Sequence, residues 1–484
     1  MEIILDDYTE GKFYSTFDAL SGRVEITAPH NARFDEIQIT LEGTVKTFVE
    51  NLSPTSTRSK TTALHKFLKL VMPIAEADYP QPRIAEAGRT YTFPFNFVIP
   101  DQLLPRACTH NCVAEHVHDA HLQLPPSMGD RDVSPQDDFA PDMSKVQYAI
   151  KVRVVRNREV DNREVILVEG LRKLHIVPVV AEEPPMNIGD GDEEYTLSKK
   201  KSLKKGVFSG KLGKITVSAA QPSAIVLPAP SSESSTPANT MATINLRFDP
   251  RESSSQPPRL GGLTTKLKVS TFYAARPTKA IPTHRNTLSQ FEQLRGVYDQ
   301  SICLSSRCVE SVAWTKHTPA PAYTRRDSAT SASSSDDSDN VHTSNPKDNG
   351  LYYSATILVP ITLPASKTWI PSFHNCITSR TYTIDLNLTI HTPGTGVPAS
   401  TVALHVPLQI AAAGDHSRRR TLTAEEAAAE LAGADEYLTP RVIEMPNENL
   451  LGNSALAQAE DSELPPSYEA FPPRSRQIVD PGRG

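Results

Sequence analysis

The chain has 484 residues, 40 prolines and a formal net charge of -6. Proline at this density excludes a mostly helical protein, because each interior proline removes a backbone donor and costs a helix about 3 kcal/mol. The charge gives no support for nucleic-acid binding, and five cysteines build no disulfide framework and suit a reducing compartment. No apolar run approaches the ~18 residues of a membrane-spanning helix, and the start Met1-Glu2-Ile3-Ile4-Leu5-Asp6-Asp7 is acidic, so a soluble intracellular protein is expected.

Alternation of apolar and polar residues, the mark of half-buried antiparallel strands, recurs along the chain. It begins with Ile37, Ile39 and Leu41, then Tyr91, Phe93, Phe95, Phe97 and Ile99, then Val146, Tyr148, Ile150, Val152 and Val154. Later, Tyr382, Ile384, Leu386, Leu388 and Ile390 form one strand, with Val402, Leu404, Val406 and Leu408 as its hairpin partner. Further strands are expected at 12–17, 22–28, 64–71, 165–177, 242–248, 263–273, 308–315 and 351–361. Many short strands between Pro, Gly and Asn turns predict sandwiches.

Composition divides the chain. Residues 1–180 read as a first β-sandwich and 211–412 as a second, whose polar insertions at 221–240 and 325–349 are long loops. Residues 181–210, with Glu182-Glu183-Pro184-Pro185 and then five lysines between Lys199 and Lys205, read as a linker that cannot bury itself. Beyond 412 the strand signal stops. Thr423 and Glu426 have capping-box spacing before an alanine-rich run, which predicts a short helix to about Glu436, and the rest of 413–484 reads as disordered. Residues 421–470 hold eleven acidic residues against Arg441, a net of -10, and 471–484 hold +2. Residues 1–420 are left with a net of about +2, so the acidity belongs to the tail.

The signatures of enzymes are missing from the sequence: there is no Walker A loop, GxGxxG, GxSxG or HExxH. No catalytic residue and no cofactor are expected. Cys108, His110, Cys112, His116, His118 and His121 crowd fourteen residues, and thiolate and imidazole are zinc ligands. Their spacing matches none of the common structural zinc modules, so the segment reads as an extended, metal-free loop, in which Cys108, Cys112 and His116 would be the candidate ligands. Lys199, Lys200, Lys201, Lys204 and Lys205 read as exposed, hence as candidate ubiquitin acceptors, and as a peripheral contact for acidic lipids at about 1 kcal/mol per lysine. Ser333, Ser334 and Ser335 lie in an acidic context that suits phosphorylation. The sharpest motif is Leu464-Pro465-Pro466-Ser467-Tyr468, a PPxY sequence. Its prolines pre-set a polyproline II turn and its tyrosine fills a pocket beside an aromatic groove, the way WW domains read peptides. About 0.1 such matches are expected by chance over this length.

The order of several stretches resembles the arrestin family. Ser21-Gly22-Arg23-Val24, followed by Ile37-Gln38-Ile39-Thr40-Leu41-Glu42-Gly43, resembles the start of an arrestin N-terminal domain. Phe93-Pro94-Phe95-Asn96-Phe97-Val98-Ile99-Pro100 is similar to the family's FPFxFxxP strand, and Leu124-Pro125-Pro126-Ser127-Met128-Gly129 to a loop of fungal members. Val359-Pro360, Ile370-Pro371-Ser372-Phe373 and Arg380-Thr381-Tyr382 are similar to the end of the C-terminal domain. The resemblance covers about residues 1–412. It implies an all-β chain of two arrestin-type, immunoglobulin-like β-sandwiches, and the PPxY tail is typical of the alpha-arrestin branch. Those proteins are cytoplasmic adaptors, not enzymes. The arrestin body engages a membrane transporter or receptor at the plasma membrane or endosomes, and a HECT-type ubiquitin ligase is recruited through its WW domains, so that the cargo is ubiquitinated and endocytosed. Carried over, Pro465, Pro466 and Tyr468 are the ligase-binding residues. The competing expectation is an arrestin-fold scaffold that sorts cargo without a ligase.

Overall fold

The alternating segments are strands. The computed structural model describes residues 1–414 apart from 7, 10, 51–59, 159–162, 190, 207–209, 231–237, 289–292, 319–349 and 393–397. In the first half, Glu2–Leu5, Ala19–Thr27 and Thr90–Val98 form a three-stranded antiparallel sheet. Lys60–Met72, Glu36–Glu50, Ser144–Asn157 and Glu164–Leu174 form a four-stranded one. Their inner faces supply one core: Leu20, Val24, Phe93, Phe95 and Phe97 from the first, Ile39, Leu41, Val146, Tyr148 and Ile150 from the second. Each such fully buried side chain is worth about 1.5–3 kcal/mol.

Two glycines of the family-like stretches stand where the alternation calls for a core side chain. Gly22 shares its strand face with Leu20 and Val24, and a Cβ there would meet the ring of Phe95 at 2.6 Å and the backbone of Ile4 on the neighbouring strand. At Gly43 a Cβ would lie 2.6 Å from Cζ of Phe67 and 3.0 Å from Cβ of Leu68. The register shifts at Gly43/Thr44, with Leu68 opposite Gly43 and Lys66 opposite Thr44. Phe67 is therefore the extra residue of a β-bulge, and its ring covers the glycine and meets Tyr148 edge-on at 5.3 Å.

The second half repeats the plan. Ser198–Lys204, Lys211–Ala219, Asn239–Pro250, Tyr352–Thr362 and Thr315–His317 make one sheet in that order. Arg295–Cys308, Arg259–Ala274 and Thr378–His391 make the other, and both Phe373–His374 and Ser400–Leu408 pair with Thr378–His391. The expected hairpin is present in register, with Tyr382 opposite Leu408 and Ile384 opposite Val406.

Several expectations need correction. Residues 12–17 contribute only an isolated bridge, Tyr14 to Ile176. The strand expected at 308–315 lies earlier, at Arg295–Cys308, followed by the short Thr315–His317. Arg295–Cys308 is an edge strand that, among the described residues, pairs only with Arg259–Ala274; its residues are exposed or half-buried, and its apolar alternation is confined to Ile302 and Leu304, which pack against the second core.

His284, in the short helix His284–Thr287, ties two segments together. Its Nε2 donates to Asp299 at 2.9 Å and its Nδ1 to Glu194 at 2.7 Å. These two hydrogen bonds, Asp299 first, raise its pKa to about 9. A pKa above that of the unfolded chain stabilises the fold fully below about pH 6.5, and the contribution is lost as pH rises through about 9. His284→Gln is therefore expected to lower the melting temperature relative to the parent protein near pH 6, with the gap closing toward about pH 10. A pH series of thermal melts checks this, and a gap that does not change with pH would refute it.

Candidate functional site

Pro465, Pro466 and Tyr468, like Ser333, Ser334 and Ser335 and the helix expected from 423, lie outside the described residues. The lysines do not. The segment expected as a free linker contains the strand Ser198–Lys204, paired antiparallel with Lys211–Ala219 from Ser198↔Ser218 to Leu203↔Gly213. Leu203 is buried and anchors it. Lys199, Lys200, Lys204 and Lys205 are exposed, Lys201 is half-buried, and Lys201 Nζ donates to the carbonyl of Thr401 at 3.0 Å. The strand hides from sequence inspection because a run of lysines on a sheet edge is how such edges stay soluble.

The two sandwiches belong to a single compact unit, residues 1–416, and they exchange side chains. Ile370, Phe373, Cys376 and Ile377 insert into the first core, while Phe139 enters the second and stacks obliquely on Trp369 at 5.1 Å. Arg380 is fully buried between them. Its Nη1 donates to the carbonyl of Asp138 at 2.8 Å and its Nη2 to the sulfur of Met128 at 3.3 Å. The Asp138 carboxylate accepts from the backbone of Gly129 at 2.6 Å and of Ala140 at 3.0 Å, which closes the 128–140 loop around that arginine. Ser144 and Thr378 hydroxyls meet at 2.7 Å, Thr47 donates to the carbonyl of Ala274 at 2.6 Å, and Lys367 pairs with Asp137 at 2.6 Å. Asp130, also buried, is pushed up by desolvation, but Gln147, Lys173 and Lys145 outweigh this and hold its pKa below the ordinary value.

A second constellation sits beside this junction. Ala114 leads into a helix, Glu115–Leu122, where an extended segment was expected. Val117 and His121, one turn apart, form its buried face, while His116 points to solvent. The fold therefore brings His121 back to Cys108, His110 and Cys112 and leaves His116 out. The ligand atoms of Cys108, His110, Cys112 and His121 all lie within 4.8 Å of one another. Cys108 Sγ is 3.9 Å from Cys112 Sγ, 3.6 Å from His121 Nδ1 and 3.4 Å from His110 Nε2. Cys112 Sγ is 3.7 Å from His121 Nδ1 and 3.9 Å from His110 Nδ1. Burial raises the pKa of Cys108 to about 11 and lowers that of His121 to about 4.

Residues 1–174 match the family described as arrestin (or S-antigen), N-terminal domain. The first sandwich is similar to an arrestin N-terminal domain. The match covers the whole first sandwich, through the end of the strand Glu164–Leu174, and the sheets of the chain are consistent with arrestin-type β-sandwiches. No curated protein matches the chain. An arrestin domain points to a general role as a trafficking adaptor or scaffold, and proteins of that family are typically non-enzymatic. Among the described residues, no helix is long and apolar enough to cross a membrane.

Proposed function

We propose that this protein is an alpha-arrestin adaptor that links membrane cargo, a transporter or receptor, to a HECT-type ubiquitin ligase. The ligase's WW domains bind Pro465, Pro466 and Tyr468. The observation that carries the reading is the pairing of an arrestin N-terminal domain with a PPxY sequence placed some fifty residues beyond the last described strand, in an acidic stretch. The body binds cargo and the tail binds ligase, and the protein works in the cytoplasm, recruited to the plasma membrane or endosomes. No lysine lies between Lys367 and Gly484, and a ubiquitin acceptor on the adaptor itself is proposed in the body. Lys199, Lys200, Lys204 and Lys205 are proposed for that role on account of their exposure, and the same edge is suited to acidic lipid headgroups. Ser333, Ser334 and Ser335 are proposed as phosphosites.

The test is capture of the full chain by isolated WW domains, comparing the parent protein with Tyr468→Ala. Loss of the tyrosine empties the pocket that gives the motif its specificity, so capture is expected to fall to background while the melting temperature stays unchanged. Equal capture by both proteins sinks the ligase reading and leaves a ligase-independent sorting scaffold. Ubiquitination reconstituted with the ligase then maps the acceptors, and diglycine remnants confined to other lysines would refute the edge-strand assignment.

A further inference from the structure

We propose that Cys108, His110, Cys112 and His121 bind one zinc ion in a closed, structural Cys2His2 site. With Zn–S near 2.3 Å and Zn–N near 2.05 Å, a tetrahedron has edges of about 3.8 Å between sulfurs and about 3.6 Å between sulfur and nitrogen. Here the sulfurs are 3.9 Å apart, and the Cys108–His121, Cys112–His121 and Cys108–His110 edges are 3.6, 3.7 and 3.4 Å. A disulfide is excluded by the same separation, since its sulfurs stand about 2.05 Å apart. Hydrogen bonding alone gives no reason for the arrangement, because a thiol is a weak donor and a weak acceptor.

The charge balance also fits. Binding Zn2+ releases one proton from each thiol to solvent, so two thiolates, two neutral imidazoles and the dication sum to zero. A neutral centre is what a place as buried as Cys108 and His121 tolerates. Four protein ligands fill the tetrahedron, which leaves no open position for catalysis. Two thiolates with two imidazoles in tetrahedral array favour zinc over magnesium or calcium, which take oxygen ligands.

The location gives the ion a purpose. The strap from Leu103 to Leu122 is closed at its base by the backbone bond from Leu103 to Leu122 at 2.7 Å. Between those ends it touches the second half of the chain: Val113 N–H donates to the carbonyl of Lys279 at 2.8 Å. His65 bridges the carbonyl of Ala107 at 2.9 Å and Asn375 at 3.5 Å, and the thiol of Cys376 reaches the same carbonyl. Zinc therefore sets the shape of a strap that braces the junction of the two sandwiches. Cys376 and His116 are neighbours, not ligands.

Elemental analysis of the purified full-length chain is expected to give one zinc per chain. After zinc is exchanged for Co2+, visible d–d bands of tetrahedral cobalt and a near-ultraviolet thiolate charge-transfer band of two-sulfur intensity are expected. Cys112→Ser loses the metal or halves the thiolate band and His121→Ala loses the metal or its tetrahedral d–d bands, whereas Cys376→Ser and His116→Ala keep one zinc per chain. If the ligand variants fail to fold, the cobalt spectrum of the unmutated chain decides by itself. A chain that holds no stoichiometric zinc and takes up no Co2+ overturns the proposal, as does loss of zinc in a folded Cys376→Ser protein. Both results are independent of whether WW domains bind Tyr468.

Discussion

Arg380→Ala is expected to destabilise the protein by about 3–5 kcal/mol, the range for removing one member of a buried charged hydrogen-bonded set. The side chain is fully enclosed, and its two terminal nitrogens bond to Asp138 and Met128, both of which belong to the first half of the chain. Truncation leaves a cavity, a carbonyl without its donor and a 128–140 loop that has lost the group around which it closes. Because Arg380 grows from the second sandwich and its partners from the first, the loss falls on the junction. Denaturant unfolding is therefore expected to separate into two transitions where the parent shows closer coupling. Arg380→Met keeps much of the volume and replaces a desolvated cation by an apolar chain, so its cost should be clearly smaller. Equal losses for alanine and methionine would show that the charge, and not the filled space, holds the halves together. A loss under about 1 kcal/mol for alanine, as at an ordinary surface site, would refute the central role given to this residue.

What could be read from the sequence follows the physics of burial. Strands with one face in a core write their alternation plainly, as Phe93, Phe95 and Phe97 or Val146, Tyr148 and Ile150 do, because every second residue must be apolar. Edge strands do not. Ser198–Lys204 has one buried anchor, Leu203, among lysines, and Arg295–Cys308 has polar residues on both faces, so neither announces itself. The exchange of Phe139 and of Ile370 to Ile377 between the cores is non-local and has no local signature.

The Cys/His cluster was visible as composition, but its members were not. Choosing among six candidates requires knowing that Glu115–Leu122 is a helix. Only eight residues long, with a single buried turn formed by Val117, His121 and Leu122, it lacks the repeated periodicity that marks longer helices. The one signal that was available is the separation of four between Val117 and His121, an apolar residue and a histidine on one helical face. The PPxY motif is legible for the opposite reason: a peptide read by a partner carries its recognition chemistry in consecutive residues, with no fold needed to assemble it.

The two core-facing glycines allow a differential prediction. Gly43→Val is expected to cost about 1–3 kcal/mol by overpacking, since its new carbons occupy the space of the Phe67 ring. That ring is a side chain on a bulge, so shortening it makes room: in Gly43→Val combined with Phe67→Ala, the penalty should fall short of the sum of the single changes by about 0.5–3 kcal/mol. Gly22→Val starts from a similar crowding by Phe95, yet its nearest obstacle is the backbone carbonyl of Ile4 on the paired edge strand. No truncation of Phe95 moves that carbonyl, so Gly22→Val with Phe95→Ala should be as damaging as the two changes added together. The strand Glu2–Leu5 should also lose amide protection first, because the valine pushes its backbone off the sheet. Denaturant titration of the six variants and the parent measures both couplings. Strong rescue at Gly22 would mean that the Phe95 ring and not the Ile4 backbone excludes a side chain there, and no rescue at Gly43 would mean that the Phe67 ring is not what excludes one.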